Sequence, residues 1–593
     1  MKKLAFLALS TVLSAPAIAQ DTSIVVVASG AVQPVEVVGQ SVSVAGQEEI
    51  DAVQGADLTR LLERLPGLSF TRNGGLGAQT GIFVRGANAD QLLVMIDGVR
   101  VADYASPGGG YDLGNLLAGN LAKVELLRGS NSVVWGSQAV GGVLALTTRE
   151  VNGAEAMAEY GANDTIYATA TAGIAREGHA LSLTGGYADS DGISARSGGT
   201  ERDGYRQWSL AGRGRVALGE GLTLSANGRY ADSRLGIDLA GPDSPDVQDS
   251  REGSGRIALA HDGGGLKLSA AYARSFVRRA YDGVWGPSSY RGRADRAELA
   301  GLADLAPAWT LTFGADSEWT RAKSTFDPRQ KARIASGHAL LGWQGEGASL
   351  AAGVRVDDHN RFGTHATFGA NGSVDLAQGF RLRASFGEGF KAPTLYQLFG
   401  GFVGNPGLKP ERSRSYDIGL EKGDRNGPLH LAATLFRRDS RNLIDLDNAF
   451  VYQNVAKARA EGLELELASQ LNENVRARAA YTWLRARDRT LGRDLARRPR
   501  HAVTTSIDWT TPLAGLALGA DLRMASDAVE YAWGGAVLRL DGYAVASLRA
   551  SLPVADRFEL FGRIENLGGT NYETAAGFNT PGRSAYFGAR ARF

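Results

Sequence analysis

From about residue 150 to the C-terminus the chain keeps one pattern, in which apolar and polar side chains alternate with a period of two. Leu222, Leu224, Ala226, Gly228 and Tyr230 alternate with Thr223, Ser225, Asn227 and Arg229. Phe380, Leu382, Ala384 and Phe386 alternate with Arg381, Arg383, Ser385 and Gly387, and Val475 to Leu484 and Leu516 to Met524 behave alike. A two-residue period puts successive side chains on opposite faces, so each run predicts a strand with one apolar and one polar face. A soluble sandwich would share this alternation. Three further features point to lipid: the pattern recurs throughout 151–593, the polar faces are rich in Arg and Asp, and Tyr and Trp gather near strand ends as in an interfacial girdle. The predicted fold is therefore an all-β transmembrane barrel. Dividing 151–593 among about 22 antiparallel strands leaves roughly 20 residues each, about ten to cross the bilayer and the rest for connections. A barrel of that size needs something to fill its lumen.

The N-terminal part differs. Residues 35–150 lack the alternation and read as a small mixed α/β domain. Asp57 to Leu65 carries apolar residues at helical spacing and is stopped by Pro66-Gly67. Ile82 to Gly86 and Leu92 to Ile96 read as short strands, with Asp97-Gly98 as a tight turn. Lys123 to Thr148 joins an apolar run, a turn punctuated by Gly129, Gly136, Gly141 and Gly142, and a β-prone run. Arg60, Arg64, Arg85, Arg100 and Arg128 read as structural cations that seek carboxylates on the barrel wall. Ahead of this domain, Lys2 and Lys3, the apolar Leu4 to Leu13 and Ala17-Ile18-Ala19 have the form of a secretion signal over 1–19, too short to span a membrane. Residues 20–34 then form a separate short segment with an apolar, β-prone centre.

Composition removes several function classes. With no Cys there are no disulfides and no thiolate metal sites, and a net charge of +1 gives no basic surface for nucleic acid. No HExxH motif is present and the seven His do not cluster, His359 and His365 falling in a polar, loop-like region. An enzyme reading lacks a nucleophile and base.

Residues 123–148, KVELLRGSNSVVWGSQAVGGVLALTT, resemble the closing motif of the plug domain in TonB-dependent outer-membrane receptors, with Trp135 in place of the usual Tyr. The Pro66-Gly67, Val84-Arg85-Gly86 and Ile96-Asp97-Gly98-Val99 segments are similar to plug motifs in the same order. In the barrel, Gly387 to Tyr396, Asn405 to Glu411, Glu565-Asn566-Leu567 and Asn571-Tyr572 match further family patterns, and the final Phe593 resembles the signal read by the barrel-assembly machinery. The resemblance implies a bacterial outer-membrane protein, surrounded by outer-membrane lipid, with 35–150 as an α/β plug domain inside the lumen, that imports a scarce nutrient with energy delivered by TonB. It also implies that Thr22, Ser23, Ile24, Val25, Val26, Val27 and Ala28 form the TonB box, the peptide TonB captures by strand addition. Among such importers the details look most like those for cobalamin (vitamin B12): Gln20-Asp21-Thr22, the run from Asn73 to Asn88, and Asn571 to Thr574 with Pro581-Gly582-Arg583. The alternative within the family is a ferric-siderophore receptor. A passive porin would share the barrel but has no reason to carry 22–148.

Two acidic loop regions suggest a cation. Asp189, Asp191, Glu201 and Asp203 lie in one, Asp238 and Asp249 in the other, and hard divalent cations want several oxygen ligands. Acidic loops also simply keep a surface soluble. By resemblance to the cobalamin importers these residues would bind calcium, with Asp189 and Asp191 competing for one position. The same resemblance makes Gln79, Gly81, Asn88, Ser106 and Pro107 on the plug and Arg497 on the barrel candidate substrate contacts. The box generates a first expectation: Val25→Pro removes an amide donor and fixes φ in a segment that must pair with another strand. Uptake by cells is expected to fall to background while ligand binding to purified protein is unchanged, and normal uptake would remove the box assignment.

Overall fold

A computed structural model describes residues 24–106, 109–425, 427–447, 449–532 and 535–593. The expected signal 1–19, Thr22 and Ser23 of the expected box, and the candidate contact Pro107 lie outside the described residues. The C-terminal part is a closed barrel of 22 antiparallel strands. Its first strand, Gly153–Gly161, pairs with its last, Ser584–Arg592, from Glu155↔Arg592 to Gly161↔Tyr586. Among the described residues no helix is long and apolar enough to cross a membrane.

Strand order follows chain order, so connections alternate between two rims. On the rim where the plug joins and the chain ends, the periplasmic one, two-residue turns such as 177–178 and 220–221 suffice. The opposite rim carries the long connections 194–202, 238–245, 392–410 and 566–583. Many strands exceed the bilayer requirement, Tyr452–Asn472 reaching 21 residues, and their upper ends stand above the lipid as vestibule walls. The alternation read from sequence sorts the faces: Ile257, Leu299 and Leu210 are more than half exposed on the outside, whereas Arg383, Asp417 and Glu464 are buried on the inside.

The plug occupies the lumen. Its five-stranded sheet runs Ser41–Ala45, Leu121–Arg128, Gly142–Thr148, Leu92–Ile96, Val99–Val101. The two strands of the 123–148 segment thus lie at its centre, one antiparallel to Ser41–Ala45 and the other parallel to Leu92–Ile96. Leu61, Leu62, Val84, Val94, Val124 and Leu144 form its core. The helix Leu58–Leu62 is shorter than the periodicity suggested and is capped by Asp57, which accepts from the Thr59 amide at 2.9 Å. Where plug meets wall, glycine is needed: a Cβ on Gly387 would lie 2.0 Å from the Ser130 carbonyl oxygen.

Lipid-facing positions differ in depth, and depth sets the cost of a charge. Leu299 lies mid-strand in Ser288–Ala306, whereas Leu518 lies at the periplasmic end of Ala517–Ala525, opposite Trp509. Leu299→Arg is expected to cost ~2–4 kcal/mol of insertion free energy and Leu518→Arg only about 0–1. Folding yield into lipid vesicles, read by heat-modifiable gel mobility, checks the order; equal yields would contradict the facing.

Candidate functional site

The plug is clamped to the wall by charge. Arg85, held at φ 48 in the turn after Thr80–Val84, donates through Nε and Nη2 to the two Glu464 carboxylate oxygens, each at 2.8 Å. Arg128, ending its strand, donates to the same carboxylate at 2.8 Å and to Glu466 at 3.0 Å. Glu464 has no exposed surface. Asp417 accepts from Arg383 at 3.3 Å and lies 3.5 Å from Arg85, whose guanidinium also sits over the Phe436 ring. Arg60 pairs with Glu565 at 3.1 Å and Arg64 with Asp521 at 2.7 Å. Arg100 differs: it makes no ion pair among the described residues, its Nη2 has no hydrogen-bond partner, and it lines a cavity of about 70 Å³ against Asp316, Glu318 and Arg355.

Above the plug, the inner faces of the projecting strands form a vestibule with two distinct sectors. In one, Tyr281, Tyr290, Tyr396 and Tyr452 make a chain of rings with successive centroids 5.9, 6.3 and 6.4 Å apart. Tyr290 packs on the apolar group of Ala105, Ala322 and Leu395, and so on the plug. The Arg279 guanidinium lies 5.9 and 6.0 Å from the Tyr281 and Tyr290 rings and pairs with Asp103 of the plug at 2.7 Å. Ser106, adjoining Ala105, accepts from the Gly109 amide at 3.0 Å.

The second sector is cationic. Arg497 adopts φ 61, pairs with Glu530 and donates to Thr71 Oγ1 at 3.1 Å; Thr71 is the strand partner of Gly81. Arg498 lies 3.9 Å from the Phe83 ring centroid and donates to Asn88 Oδ1. Burial, and then the charges of Arg438 and Arg497, depress the Arg498 guanidinium, and its Nε has no hydrogen-bond partner in the described residues. An anion above Phe83 would relieve that charge. Gln79 is exposed beside the start of Thr80–Val84, its carbonyl accepting from the Asn73 amide at 3.1 Å across the loop from Leu68–Arg72. Sequence reasoning missed the tyrosine chain and Arg498. In the sequence, tyrosines near strand ends suggest a lipid girdle, and only their inward register separates Tyr281 and Tyr290 from the outward Tyr187 and Trp208.

The six expected cation ligands separate. Glu201, Asp203 and Asp238 come together, each with a carboxylate oxygen within 4.8 Å of the others. Asp203 accepts from the Ala195 amide at 2.6 Å and Asp238 from the Ser244 and Arg196 amides at 2.9 and 3.1 Å. Glu201 Oε1 is covered and has no hydrogen-bond partner. Partial burial, then hydrogen bonding to Asp238 and the neighbouring negative charges, raises the Glu201 carboxyl above its usual range. An oxygen-only donor set with one orphaned oxygen fits a hard divalent cation. Asp189, Asp191 and Asp249 do not join it. Their side chains point outward and pair with Arg206 at 2.8 Å, Arg202 at 3.2 Å and Arg234 at 3.3 Å, because residues of odd and even register on these strands leave by opposite faces.

On the periplasmic side the expected box is put away. Ile24 and Val25 pair with Pro34 and Gln33, and Val25, Val27 and Ala28 are buried with Val42, Leu93 and Leu127. Glu125 accepts from the Val26 and Val27 amides at 3.2 Å each, while Trp135 Nε1 and Asn131 Nδ2 donate to the Val27 and Ala28 carbonyls at 2.6 and 3.1 Å. Residues within the closing plug motif thus hold the segment.

Comparisons with known proteins agree with this architecture. Residues 34–143 match the TonB-dependent receptor plug domain, and residues 287–567 match the TonB-dependent receptor-like β-barrel. The structure is similar to that of the siderophore receptor PirA from Acinetobacter baumannii, with TM-score 0.81 and 17% identity over 93% of this chain and 98% of that one. It is also similar to a mutant of the ferric enterobactin receptor PfeA from Pseudomonas aeruginosa (TM-score 0.79, 19% identity, 93% and 98% covered). A third is the FrpB iron transporter of Neisseria meningitidis (0.82, 14%, 94% and 100%). At such identities the likeness establishes the fold.

The clamp generates a quantitative expectation. Glu464→Ala leaves two buried guanidinium groups short of their shared partner and is expected to weaken plug docking by about 3–5 kcal/mol. Glu461→Ala, on the outward face of the same strand, is expected to change it by less than about 0.5 kcal/mol. Denaturant titration with limited proteolysis of the plug measures both.

Proposed function

We propose that this chain, which belongs to the TonB-dependent receptor family and lies in the bacterial outer membrane as a plugged barrel, takes up a ferric siderophore, with anionic chelates built on aromatic donors as the class that matches its vestibule. The observation that carries this reading is the pairing of a tyrosine chain with cationic side chains directly above the plug. Aromatic faces stack on catechol-type rings, and Arg498 complements the negative charge such complexes carry. Arg498 stands over Phe83 with an unused donor and a disfavoured charge. Two of the proteins it is similar to, a siderophore receptor and a ferric enterobactin receptor, point the same way. Transport would follow the family's logic: cargo bound at the apex, TonB engaging residues 22–28, and the clamp on Glu464 yielding. The plug in the lumen argues against a passive porin.

A second reading, calcium-assisted uptake of cobalamin or a related corrinoid, is favoured by one observation, the Glu201, Asp203 and Asp238 group. Those three residues would hold the ion and pre-order the 194–202 and 238–245 loops for a bulky ligand. In this reading Gln79, Gly81, Asn88, Ser106, Pro107 and Arg497 remain the candidate contacts.

One binding experiment separates the two. Purified protein is titrated with ferric enterobactin and with cyanocobalamin, each in calcium and in chelator, following intrinsic fluorescence. The siderophore reading expects ferric enterobactin to bind in both conditions and Tyr290→Ala with Arg498→Ala to weaken it at least tenfold. Cyanocobalamin binding that needs calcium, is lost in Asp203→Ala with Asp238→Ala, and weakens as pH falls and Glu201 takes up a proton would replace it with the corrinoid reading.

A further inference from the structure

The outer surface of the barrel carries a feature that neither insertion nor cargo binding requires. Arg251, Arg278, Arg291 and Lys323 stand directly opposite one another in a single row across four neighbouring strands, Asp246–Asp262, Leu266–Asp282, Ser288–Ala306 and Trp309–Ser324. The next row toward the membrane holds Arg293, Arg321 and Lys331, again directly opposite one another. All share the outward register of their strands, Arg291 and Arg293 with Leu299, and Arg278 with Tyr272. Like charges facing each other across a sheet destabilise it, and seven in adjacent rows need an explanation.

Acidic neighbours do not provide one. Asp232 pairs with Arg251 at 2.9 Å, and Asp295 is shared by Arg274 and Arg293 at 2.6 and 2.7 Å. Among the described residues Arg278, Arg291, Arg321, Lys323 and Lys331 make no ion pair. Elsewhere on the same rim outward arginines are matched: Arg206 by Asp189, Arg234 by Asp249, Arg414 by Glu388 and Arg437 by Asp439. Arg412 and Arg441 also face each other without an ion pair among the described residues, but as a single pair beside the matched Arg414, whereas here unmatched cations fill two adjacent rows over four neighbouring strands.

Depth identifies what lies against it. Moving outward along these strands, the lipid-facing Leu299 gives way to Tyr272 and Trp319, aromatic residues of the kind that mark a membrane interface. The two cationic rows follow about 7 and about 13 Å beyond Trp319 along the strand. That is the headgroup layer of the outer leaflet, on the side of the barrel away from the vestibule. Guanidinium groups pair bidentately with phosphate, and closely spaced cations suit a ligand with more than one. We propose that this patch is a binding site for the headgroup of a multiply phosphorylated glycolipid of the outer leaflet. Its phosphates bridge the facing cations and turn a repulsive row into a stabilised one.

The test uses the full chain in neutral detergent, with bisphosphorylated lipid A as probe, monophosphorylated lipid A as comparison and inorganic phosphate as competitor, read by native mass spectrometry and thermal melting. The parent is expected to bind bisphosphorylated lipid A at least tenfold more tightly than the monophosphorylated form and to melt higher when it is bound. The triple variant Arg278→Gln, Arg291→Gln, Lys323→Gln is expected to lose at least tenfold in affinity, yet to melt no lower than the parent without lipid, since repulsion has been relieved. Arg437→Gln, at a matched site, should bind like the parent. Unchanged affinity in the triple variant, equal binding of the two lipids, or displacement by inorganic phosphate at millimolar concentration would overturn the proposal. So would a lipid-free triple variant that melts below the parent, which would make the rows structural.

Discussion

A carboxylate without exposed surface, Glu464, joins the two parts of this molecule. It is carried by the wall, and both of its oxygens are taken by arginines of the plug. Breaking such a buried pair strands charge in a poorly hydrated place, so the plug has one seating and no gradual way out of it. The surrounding charges follow the same rule. Asp417, Arg383 and Ser41 form a second layer around the clamp, and Arg60 and Arg64 repeat the plug-to-wall arrangement with Glu565 and Asp521. The polar lumen is a bonding surface whose partner is the plug.

That constraint links the two ends of the plug. Its apex presents Phe83 and Asn88 beneath Arg498, while the turn holding Arg85 begins one residue after Val84. At the other end, Glu125, Asn131 and Trp135 grip residues 26–28. The strand Leu121–Arg128 contains both Glu125 and the clamp residue Arg128. A displacement of that strand would be felt at the clamp and at residues 26–28 together, because a packed sheet moves as a unit rather than bending residue by residue.

The barrel strands answer to a different pair of solvents. One face must suit lipid and the other must suit the plug, and the period-two alternation does both at once. Above the membrane neither demand holds. There the same alternation places Tyr290 in the vestibule and its neighbour Arg291 on the outer surface, so adjacent residues face the two sides of the wall.

The sequence by itself determined what depends on local order. Strict alternation made the barrel strands and their facing legible, the signature of residues 123–148 located the centre of the plug, and isolated plug arginines could be read as seeking wall carboxylates. What it could not carry was the meeting of residues distant in the chain. Asp189, Asp191 and Asp249 are three carboxylates like Glu201, Asp203 and Asp238, yet only the latter three converge: strand register turns the former outward and Asp203 inward, and the course of the 194–202 and 238–245 loops brings Glu201 and Asp238 to Asp203. The same single step separates vestibule tyrosines from girdle tyrosines. The rows of facing cations existed in no stretch of sequence at all. They arise because closing 22 strands at a fixed stagger sets positions such as 251, 278, 291 and 323 side by side, and inter-strand register is a property of the closed sheet rather than of any one strand.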